Sequence, residues 1–222
     1  MKIPYSHFTY QGDRNQNLDR FVHLKCNGFT VSFIMDGFCE NTLDMHYVDY
    51  FVDTISRGCI TQPNINQACD FVINIINCHE GTDGKSTLSM IIYDDNHMKY
   101  ISIGDSRIYF LNNKERTKDD SVAQRFVESG LSTESSIPSH PYRNRLLKFV
   151  SRKSSHQDLS FKNRRLNNSE KIVLCTDGFW SHCKDDIIWD MDTKDKVSNV
   201  FSSVITCGFD PLDNASVALI FI

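Results

Sequence analysis

Acidic residues stand at the ends of several apolar segments of this sequence. Asp36 ends the run SFIMD and Asp177 follows the run IVLCT, and a glycine comes directly after each. Asp105 follows the apolar segment 98–103, and Asp213 comes just before the last one. A single Asp-Gly pair is typical of an ordinary turn. Four carboxylates at the edge of one core would repel one another unless a cation neutralised them, so the set is consistent with a metal site.

The donor types narrow the choice of metal. Carboxylate oxygens with no histidine or cysteine beside them in the sequence favour Mg²⁺, Mn²⁺ or Ca²⁺ over zinc or copper. The eight cysteines are scattered singly, without the paired spacing of a structural zinc site. They are expected to be free and mostly buried thiols rather than a disulfide framework.

The elements that must position these acids can be predicted from hydrophobic periodicity. Apolar runs rich in β-branched and aromatic residues predict strands, and the short gaps within 88–111 favour an antiparallel meander. Apolar residues at helical spacing from Leu43 to Ile55 and from Ile65 to Ile76 predict two helices, with Pro63 in the first turn of the second. The predicted strands are 29–35, 88–93, 98–103, 107–111, 171–176 and 215–222.

Length and charge set the class of protein. With 222 residues, the chain is expected to form a single domain, residues 1–222, in which the polar segment 114–168 is a flap-like insertion with one short helix near Val122. A net charge of −4 argues against nucleic acid as a partner. No apolar run reaches the length of a signal peptide or a membrane span, so a cytoplasmic monomer that does not contact a membrane is expected.

An ordered set of motifs resembles one protein family. GDRNQNLD resembles its R-x-x-N-E-D motif, FIMDGF its D-G-H motif, GKSTLSMII its G-[ST]-[ST] strand entry, and ISIGDSRIYFL its G-D-S-R hairpin. TKDDS resembles T-x-D-H-S, the segments VESGLSTE and HPYRNRLLKFV resemble its flap, EKIVLCTDGFWSHCKDD resembles S-D-G-L-W with the helix after it, and DNASVALIFI matches the final D-N. From about residue 10 to 222, the chain resembles the metal-dependent serine/threonine protein phosphatases of type 2C (PPM).

The resemblance implies a fold and an activity. The fold is α+β, a four-layer α-β-β-α sandwich with two central antiparallel sheets flanked by helices. The activity is hydrolysis of phosphoserine and phosphothreonine in proteins by a water that bridges two Mn²⁺ or Mg²⁺ ions, with a weaker third ion. The implied partners are a phosphorylated protein substrate and a cognate serine/threonine kinase in signalling.

The resemblance also implies roles for the metal ligands. Asp36 would bridge the two ions, Asp177 and Asp213 would complete one of them, and the backbone carbonyl of Gly37 would serve the other. Asp105 matches the residue that helps to hold the third ion.

Two further residues match the opening motif. Asp19 would hold water bound to the metal, and Arg14 would bind the substrate phosphate. A guanidinium can hold two phosphate oxygens in a planar fork. The alternative interpretation is that Arg14 is an ordinary surface cation without a role in substrate binding.

The sequence departs from the family pattern in three places. Leu18 stands where the family often has a glutamate that supports the second ion, and Phe38 stands where many members carry a histidine proposed to protonate the leaving group. Asp120 replaces the histidine of T-x-D-H-S. His182 and His140 are candidate replacement acids, although both lie in polar segments typical of solvated histidines.

These departures leave two other hypotheses open. One is a pseudophosphatase that binds a phosphoprotein or partner without turnover, which Leu18 and Phe38 favour. The other is an unrelated metal-binding or structural domain. None of the cysteines has the C-x₅-R spacing of thiol phosphatases, and Cys175, inside an apolar run, is expected to pack in the core.

Overall fold

Two antiparallel sheets packed face to face form the centre of the protein, and helices cover their outer faces. The computed structural model describes residues 4–38, 44–78, 83–152, 158–166, 169–207 and 212–222. The strands are β1 (Tyr5–Tyr10), β2 (Asp19–Lys25), β3 (Thr30–Asp36), β4 (Lys85–Ser86), β5 (Leu88–Tyr93), β6 (His97–Ile103), β7 (Arg107–Phe110), β8 (Glu115–Arg116), β9 (Val150–Ser151), β10 (Lys162–Arg165), β11 (Lys171–Cys175) and β12 (Ala215–Phe221). The α-helices are α1 (Asp44–Thr61), α2 (Ile65–Asn77), α3 (Val122–Glu128), α4 (Asp177–Trp180), α5 (Asp185–Trp189) and α6 (Lys194–Thr206), and two 3₁₀ helices cover Leu111–Asn113 and Glu134–Ser139.

The strand order shows which segments lie side by side. The first sheet has the order β1-β12-β11-β7-β8, and the second has the order β10-β6-β5-β3-β2. A small ladder joins β4 to β9. The four-layer α+β fold predicted from the resemblance is confirmed.

Three apolar clusters correspond to the three interfaces between the layers. The cluster between the sheets contains Ile34 and Ile91 from the second sheet with Ile108, Leu174 and Ile220 from the first. The outer face of the second sheet packs on α1 and α2, and the outer face of the first packs on α4, α5 and α6. The central strands are therefore buried on both faces, which explains why they are continuous apolar runs rather than alternating ones.

All six predicted strands are confirmed, and so are the helices predicted over α1, α2 and α3. The placement of Pro63 was wrong, because α2 begins at Ile65 and Asn64 is its N-cap. The Asn64 side chain accepts a hydrogen bond from the backbone N–H of Gln67. Pro63 therefore precedes the cap instead of lying in the first turn.

The predicted meander is correct for only one of its two connections. Strands β5 and β6 pair as a hairpin, but β7 pairs with β11 and β8 in the other sheet. The three residues 104–106 therefore cross between the sheets, and Gly104 adopts a positive φ of 94° at the turn. Every residue of β7 is buried, so this strand gains more as an inner strand of the first sheet than as the next edge of the second.

Segment 114–168 contributes strands to both sheets. Strand β8 extends the first sheet beyond β7, and β10 forms the edge of the second beside β6. The sequence of β10, KNRR, is polar and did not predict a strand, because an exposed edge strand lacks the continuous apolar residues of an inner strand.

None of the described helices combines the length and the hydrophobicity that a membrane span needs. The seven described cysteines are free, and four of them, including Cys175, are buried, whereas Cys39 lies outside the described residues. This agrees with the expectation of unpaired thiols.

Candidate active site

Both sheets supply aspartates to one edge of the sandwich. Asp19 begins β2 and Asp36 ends β3, and the two are direct partners across the strand pair. Asp177 follows β11 as the first residue of α4, and Asp213 lies two residues before β12. Asp105 lies on the crossing between β6 and β7. Strand ends therefore position all five side chains.

The charges of these aspartates act on one another. Burial is the largest cause that raises the pKa of Asp36 well above its ordinary value, and the negative charges of the other four aspartates raise it further. Burial likewise raises the pKa of Asp105 well above the ordinary range, with the charge of Asp177 as the next cause. The strand pair of Asp19 with Asp36 and the hydrogen bonds from Thr176 to Asp19 and from Trp180 to the Asp105 carbonyl show that these acids share one edge of the sandwich.

The charges of neighbouring groups act on Asp177 in opposite directions. Burial and the charge of Asp213 raise the pKa of Asp177, while the charge of Arg143 lowers it. A raised pKa favours a proton on the carboxylate, and a cation bound there could replace that proton and leave the group ionised.

Asp19 has one satisfied and one unsatisfied oxygen. Its Oδ2 accepts a hydrogen bond of 2.8 Å from Thr176 Oγ1, whereas its Oδ1 is buried without a partner. Burial raises the pKa of Asp19 to about 7, although the hydrogen bond from Thr176 opposes the shift. A buried carboxylate oxygen without a donor is costly unless a ligand supplies the missing contact.

Ser86 and Thr87 fix the backbone around Asp36. Thr87 Oγ1 accepts from the Asp36 N–H at 3.1 Å, and the Thr87 N–H and Ser86 hydroxyl both donate to the Asp36 carbonyl at 2.9 Å. Gly37 pairs with Ser86 in an isolated bridge, and its N–H donates to the Leu18 carbonyl at 3.3 Å. The segment that resembles the G-[ST]-[ST] strand entry therefore holds the end of β3.

Asp105 is positioned by buried groups around it. Trp180 Nε1 donates to the Asp105 carbonyl at 2.8 Å, and the hydroxyls of Thr87 and Ser106 hydrogen-bond at 2.6 Å. The Arg107 guanidinium lies 3.4 Å from the centre of the Trp180 ring. The crossing loop is thus attached to α4 on one side and to Thr87, just before β5, on the other.

A charged network continues from Arg107 toward segment 114–168. Arg107 forms a buried two-point ion pair with Asp119, with distances of 2.8 and 2.7 Å. It also donates to Tyr109, whose hydroxyl donates to Asp185. Arg116 joins Asp185 to Glu134, so the network reaches from the β6–β7 crossing to the second 3₁₀ helix.

Arg14 lies at the rim of the aspartate cluster and binds one of its members. Its Nε donates to Asp213 Oδ1 and its Nη2 to Oδ2, both at 2.6 Å. The Arg14 side chain is 60% exposed, and that of Asp213 is 33% exposed. The structure therefore places Arg14 next to the predicted ligands, with its guanidinium turned toward them.

Asn214 anchors the loop that carries Arg14. Its Nδ2 donates to the carbonyls of Gln11 and Gln16 at 2.6 and 3.0 Å, and its Oδ1 accepts from the Leu18 N–H at 2.8 Å. On its other side, a Cβ added to Gly178 would lie 2.0 Å from the Asn214 carbonyl oxygen, so only glycine fits there. The glycine after Asp177 thus allows the two halves of the cluster to approach.

The donor set fits divalent cations. It consists of carboxylates whose pKa values are raised by burial and mutual repulsion, together with one unpartnered buried oxygen. Across the described ranges, however, no group of three His, Cys, Asp or Glu side chains is arranged so that it could hold a metal ion. Two of the aspartates have protein partners, since Asp213 pairs with Arg14 and Asp19 accepts a hydrogen bond from Thr176.

The residues that depart from the family pattern have packing or backbone roles. Leu18 uses its backbone to bind Asn214 and Gly37, and Phe38 meets the Phe149 ring edge-on at 5.8 Å. Asp120 Oδ2 accepts from the Gly104 N–H at 3.3 Å, so it braces the crossing loop.

The two candidate histidines differ in location. Burial and the charge of Arg143 lower the pKa of His182, while the charge of Asp213 raises it, which puts this ring near the cluster. His140 packs on the rings of Phe126 and Tyr142 and accepts from the Tyr142 N–H. Of the two, His182 is the one whose pKa responds to the charge of an aspartate of the cluster, Asp213.

The residues that orient the aspartates were not predicted from the sequence. Thr176 and Asn214 are each next to a predicted metal ligand, and Thr87 lies in the predicted strand entry, so their positions in the sequence could have indicated a role. The pairing of Arg107 with Asp119 had no such signal, because it depends on the crossing between the sheets.

Most of the chain matches the sequence model of a known protein family. The sequence model of protein phosphatase 2C matches residues 51–216, which is most of the chain. The chain belongs to the protein phosphatase 2C family. The match includes Asp105, Asp177 and Asp213, whereas Arg14, Asp19 and Asp36 lie before it.

Curated relatives of this phosphatase 2C chain come from bacteria. The serine/threonine protein phosphatase PstP of Mycobacterium tuberculosis is 30% identical over 106 residues, which are 46% of this chain and 20% of that protein. The protein phosphatase PhpP of Streptococcus pneumoniae is 27% identical over 143 residues, which are 61% of this chain and 57% of that protein. The matched regions thus span about a fifth of the first relative and just over half of the second.

Solved structures share the fold of this phosphatase 2C chain at low sequence identity. A Streptococcus agalactiae serine/threonine phosphatase superposes with a TM-score of 0.82 and 18% identity, over 98% of both chains. The catalytic domain of M. tuberculosis PstP, solved with two manganese ions, superposes with a TM-score of 0.77 and 17% identity, over 98% of this chain and 97% of that one. These likenesses establish the sandwich architecture.

Proposed function

We propose that this chain hydrolyses phosphoserine and phosphothreonine in proteins with the help of two divalent cations, Mn²⁺ or Mg²⁺. The observation that carries the proposal is the meeting of five aspartates from both sheets beside Arg14. Family membership and the two manganese ions of the M. tuberculosis PstP structure support it.

The chain's own residues have distinct parts in this proposal. Asp36, Asp177 and Asp213, with the Gly37 carbonyl, would hold the two cations, and Asp105 would help to hold a weaker third. When bound, such cations lower the pKa of water to near neutrality and screen the charge of the phosphate.

Asp19 and Arg14 would act on water and on substrate. The unpartnered Oδ1 of Asp19 can accept a hydrogen bond from an attacking water and so orient it. Arg14 can bind two phosphate oxygens with the same two N–H groups that bind Asp213. Phe38 cannot donate a proton, so the leaving oxygen would take its proton from water unless His182 supplies it.

The partner of this reaction is proposed to be a phosphorylated protein, and the opposing enzyme a serine/threonine kinase. Membership of a protein phosphatase family supports the first. The second is an expectation from the chemistry, since a dephosphorylated serine or threonine must be phosphorylated again for the cycle to repeat.

The test is phosphate release from p-nitrophenyl phosphate and from a phosphothreonine peptide, with Mn²⁺, Mg²⁺ or EDTA. We expect turnover that requires a cation and that falls to background in Asp36→Asn. Asp53→Asn is a matched control, because Asp53 is an exposed carboxylate on α1 paired with Arg57.

A second candidate function is phosphoprotein binding without turnover, which Leu18 and Phe38 favour. Folded wild-type protein that releases no phosphate with either cation, yet binds the phosphothreonine peptide in a titration, would replace the enzyme with this binding role. Absence of both turnover and binding would contradict both candidates.

A further inference from the structure

Arg14 occupies both oxygens of a predicted metal ligand. Asp213 Oδ1 accepts from Arg14 Nε at 2.6 Å and also from the Asn214 N–H at 2.8 Å, and Oδ2 accepts from Arg14 Nη2 at 2.6 Å. A carboxylate held in a two-point fork presents its chelating side to the guanidinium. A cation that approaches from that side must displace Arg14, because two positive groups on one carboxylate repel each other.

The backbones on both sides of this contact are fixed to each other. The Asp13 N–H donates to the Leu212 carbonyl at 2.8 Å, and the Leu212 N–H donates to Asp13 Oδ2 at 2.7 Å. Asn214 adds its hydrogen bonds to Gln11 and Gln16. An exchange at Asp213 therefore needs a side-chain rotation of Arg14 and no movement of its loop.

Arg14 also balances the charge of the whole cluster. Its hydrogen bonds to Asp213 raise the pKa of the guanidinium, partial burial opposes this, and the charges of Asp213, Asp177 and Asp36 raise it further. The guanidinium thus interacts with three carboxylates that the proposed function assigns to cations. Arg14 therefore acts as a counter-ion to these three carboxylates.

We propose that Arg14 and a divalent cation compete for Asp213, so that cation binding releases the guanidinium to the substrate phosphate. This inference rests on the proposed function, because it takes Asp213 as a cation ligand. It orders the events: the cation binds first, and the phosphate-binding side chain becomes available as a result. The ion pair also weakens cation binding, since the cation must break it.

The test measures Mn²⁺ binding by isothermal titration calorimetry on protein freed of metal with EDTA and then dialysed. We expect Arg14→Ala to bind Mn²⁺ about fivefold more tightly than wild type, because the partly exposed ion pair no longer has to be broken. Arg14→Lys keeps the charge but loses the two-point fork, so its affinity should lie between the two.

Arg143→Ala is the control for charge alone. Arg143 lowers the pKa of Asp177 through its charge, so the variant removes one positive charge from the same cluster and leaves the Arg14 contact intact. We expect its Mn²⁺ affinity to stay within about twofold of wild type. An equal gain in Arg143→Ala, or an Arg14→Lys variant that matches wild type, would reduce the effect to general charge and overturn the proposal.

The remaining outcomes separate this inference from the proposed function. Unchanged or weaker Mn²⁺ binding in Arg14→Ala would overturn the competition even if the enzyme is active. Tighter binding in that variant, with no turnover in wild type, would support the competition and contradict the phosphatase. Absence of Mn²⁺ binding in wild type and in every variant would contradict both.

A spectroscopic measurement follows Arg14 directly. In an ¹H–¹⁵N spectrum of arginine side chains, the Nε–H signal that is lost in Arg14→Lys identifies the residue. Addition of diamagnetic Mg²⁺ should move that signal toward the position of solvated arginines, while the Arg57 signal, from an exposed pair on α1, stays in place. An Arg14 signal that does not respond while Mg²⁺ binds would overturn the exchange.

Discussion

At the scale of single residues, the site is a set of acids whose burial raises their pKa values. Asp19, Asp36 and Asp105 all favour protonation in the folded chain, and each does so mainly because it is removed from water. A cation at this position would reverse that preference by favouring the ionised forms. The burial and repulsion that raise these pKa values are therefore also what would favour the binding of a cation.

His7 gives a test of burial at a residue away from the cluster. Its ring stacks on Phe21 with centres 4.7 Å apart, its Nε2 is buried without a partner, and burial lowers its pKa to about 4. The unfolded chain takes up a proton near the ordinary pKa of 6.5, which the folded chain takes up only near 4. The contribution of His7 to stability is therefore present above about pH 6.5 and is lost as the pH falls toward 4.

We expect wild type to lose about 2 kcal/mol of unfolding free energy relative to His7→Gln between pH 6.5 and 4. Urea denaturation of both proteins at each pH measures the difference, in which the titration of the aspartates cancels. Parallel profiles for wild type and His7→Gln would contradict the role given to burial.

At the scale of elements, strand ends and the loops between them set the positions of the acids. The loop between β1 and β2 has few apolar residues of its own, and Asn214 supplies three of the hydrogen bonds that hold it. The Asn214 side chain, one residue before β12, therefore controls where Arg14 lies.

We expect Asn214→Ala to destabilise the protein by about 2 kcal/mol, because it leaves three partly buried backbone groups without their hydrogen-bond partner. Loosening of the loop should raise KM for a phosphothreonine peptide more than it lowers kcat, since Arg14 is proposed to bind substrate. Steady-state kinetics and urea denaturation measure the two effects. Asn199→Ala, on the exposed face of α6, should change neither, and a drop in kcat with no change in KM would contradict the assignment.

The elements also show what the sequence could predict. The inner strands were predictable because both of their faces are buried, and α1 and α2 because each presents one apolar face to a sheet. Strands β1 and β2 were missed because they are half-buried and mixed in polarity, and their pairing depends on distant partners. The crossing after Gly104 was missed because a short gap fits a hairpin equally well.

The aspartates could be predicted as a group from motif order, while their present contacts could not. The ion pair of Arg14 with Asp213 joins residues at opposite ends of the chain, and no local pattern indicates it. The same holds for Thr176 and Asp19. Side-chain partners of this kind depend on tertiary structure alone.

At the scale of the whole molecule, a buried ionic network connects the site to segment 114–168. Arg107 and Asp119 have exposed side-chain fractions of 2% and 1%, so their charges depend on each other rather than on water. Removing one partner leaves a buried charge without compensation.

We expect Asp119→Ala to cost about 3–5 kcal/mol of unfolding free energy, measured by urea denaturation. The matched control is Asp53→Ala, which breaks an exposed pair with Arg57 and should cost less than about 1 kcal/mol. Similar losses in the two variants would show that the buried pair has no special weight. A double variant that also replaces Arg107 with methionine should recover part of the loss.

The antiparallel pairing of β1 with β12 has a consequence for nascent chains. Tyr5 pairs with Ile220, so the first strand finds its place only after the last one has been made. Arg14 lies four residues after the end of β1, and Asp213 lies two residues before β12. A polypeptide synthesised only as far as β11 therefore lacks both the partner strand of β1 and the Asp213 carboxylate that binds Arg14.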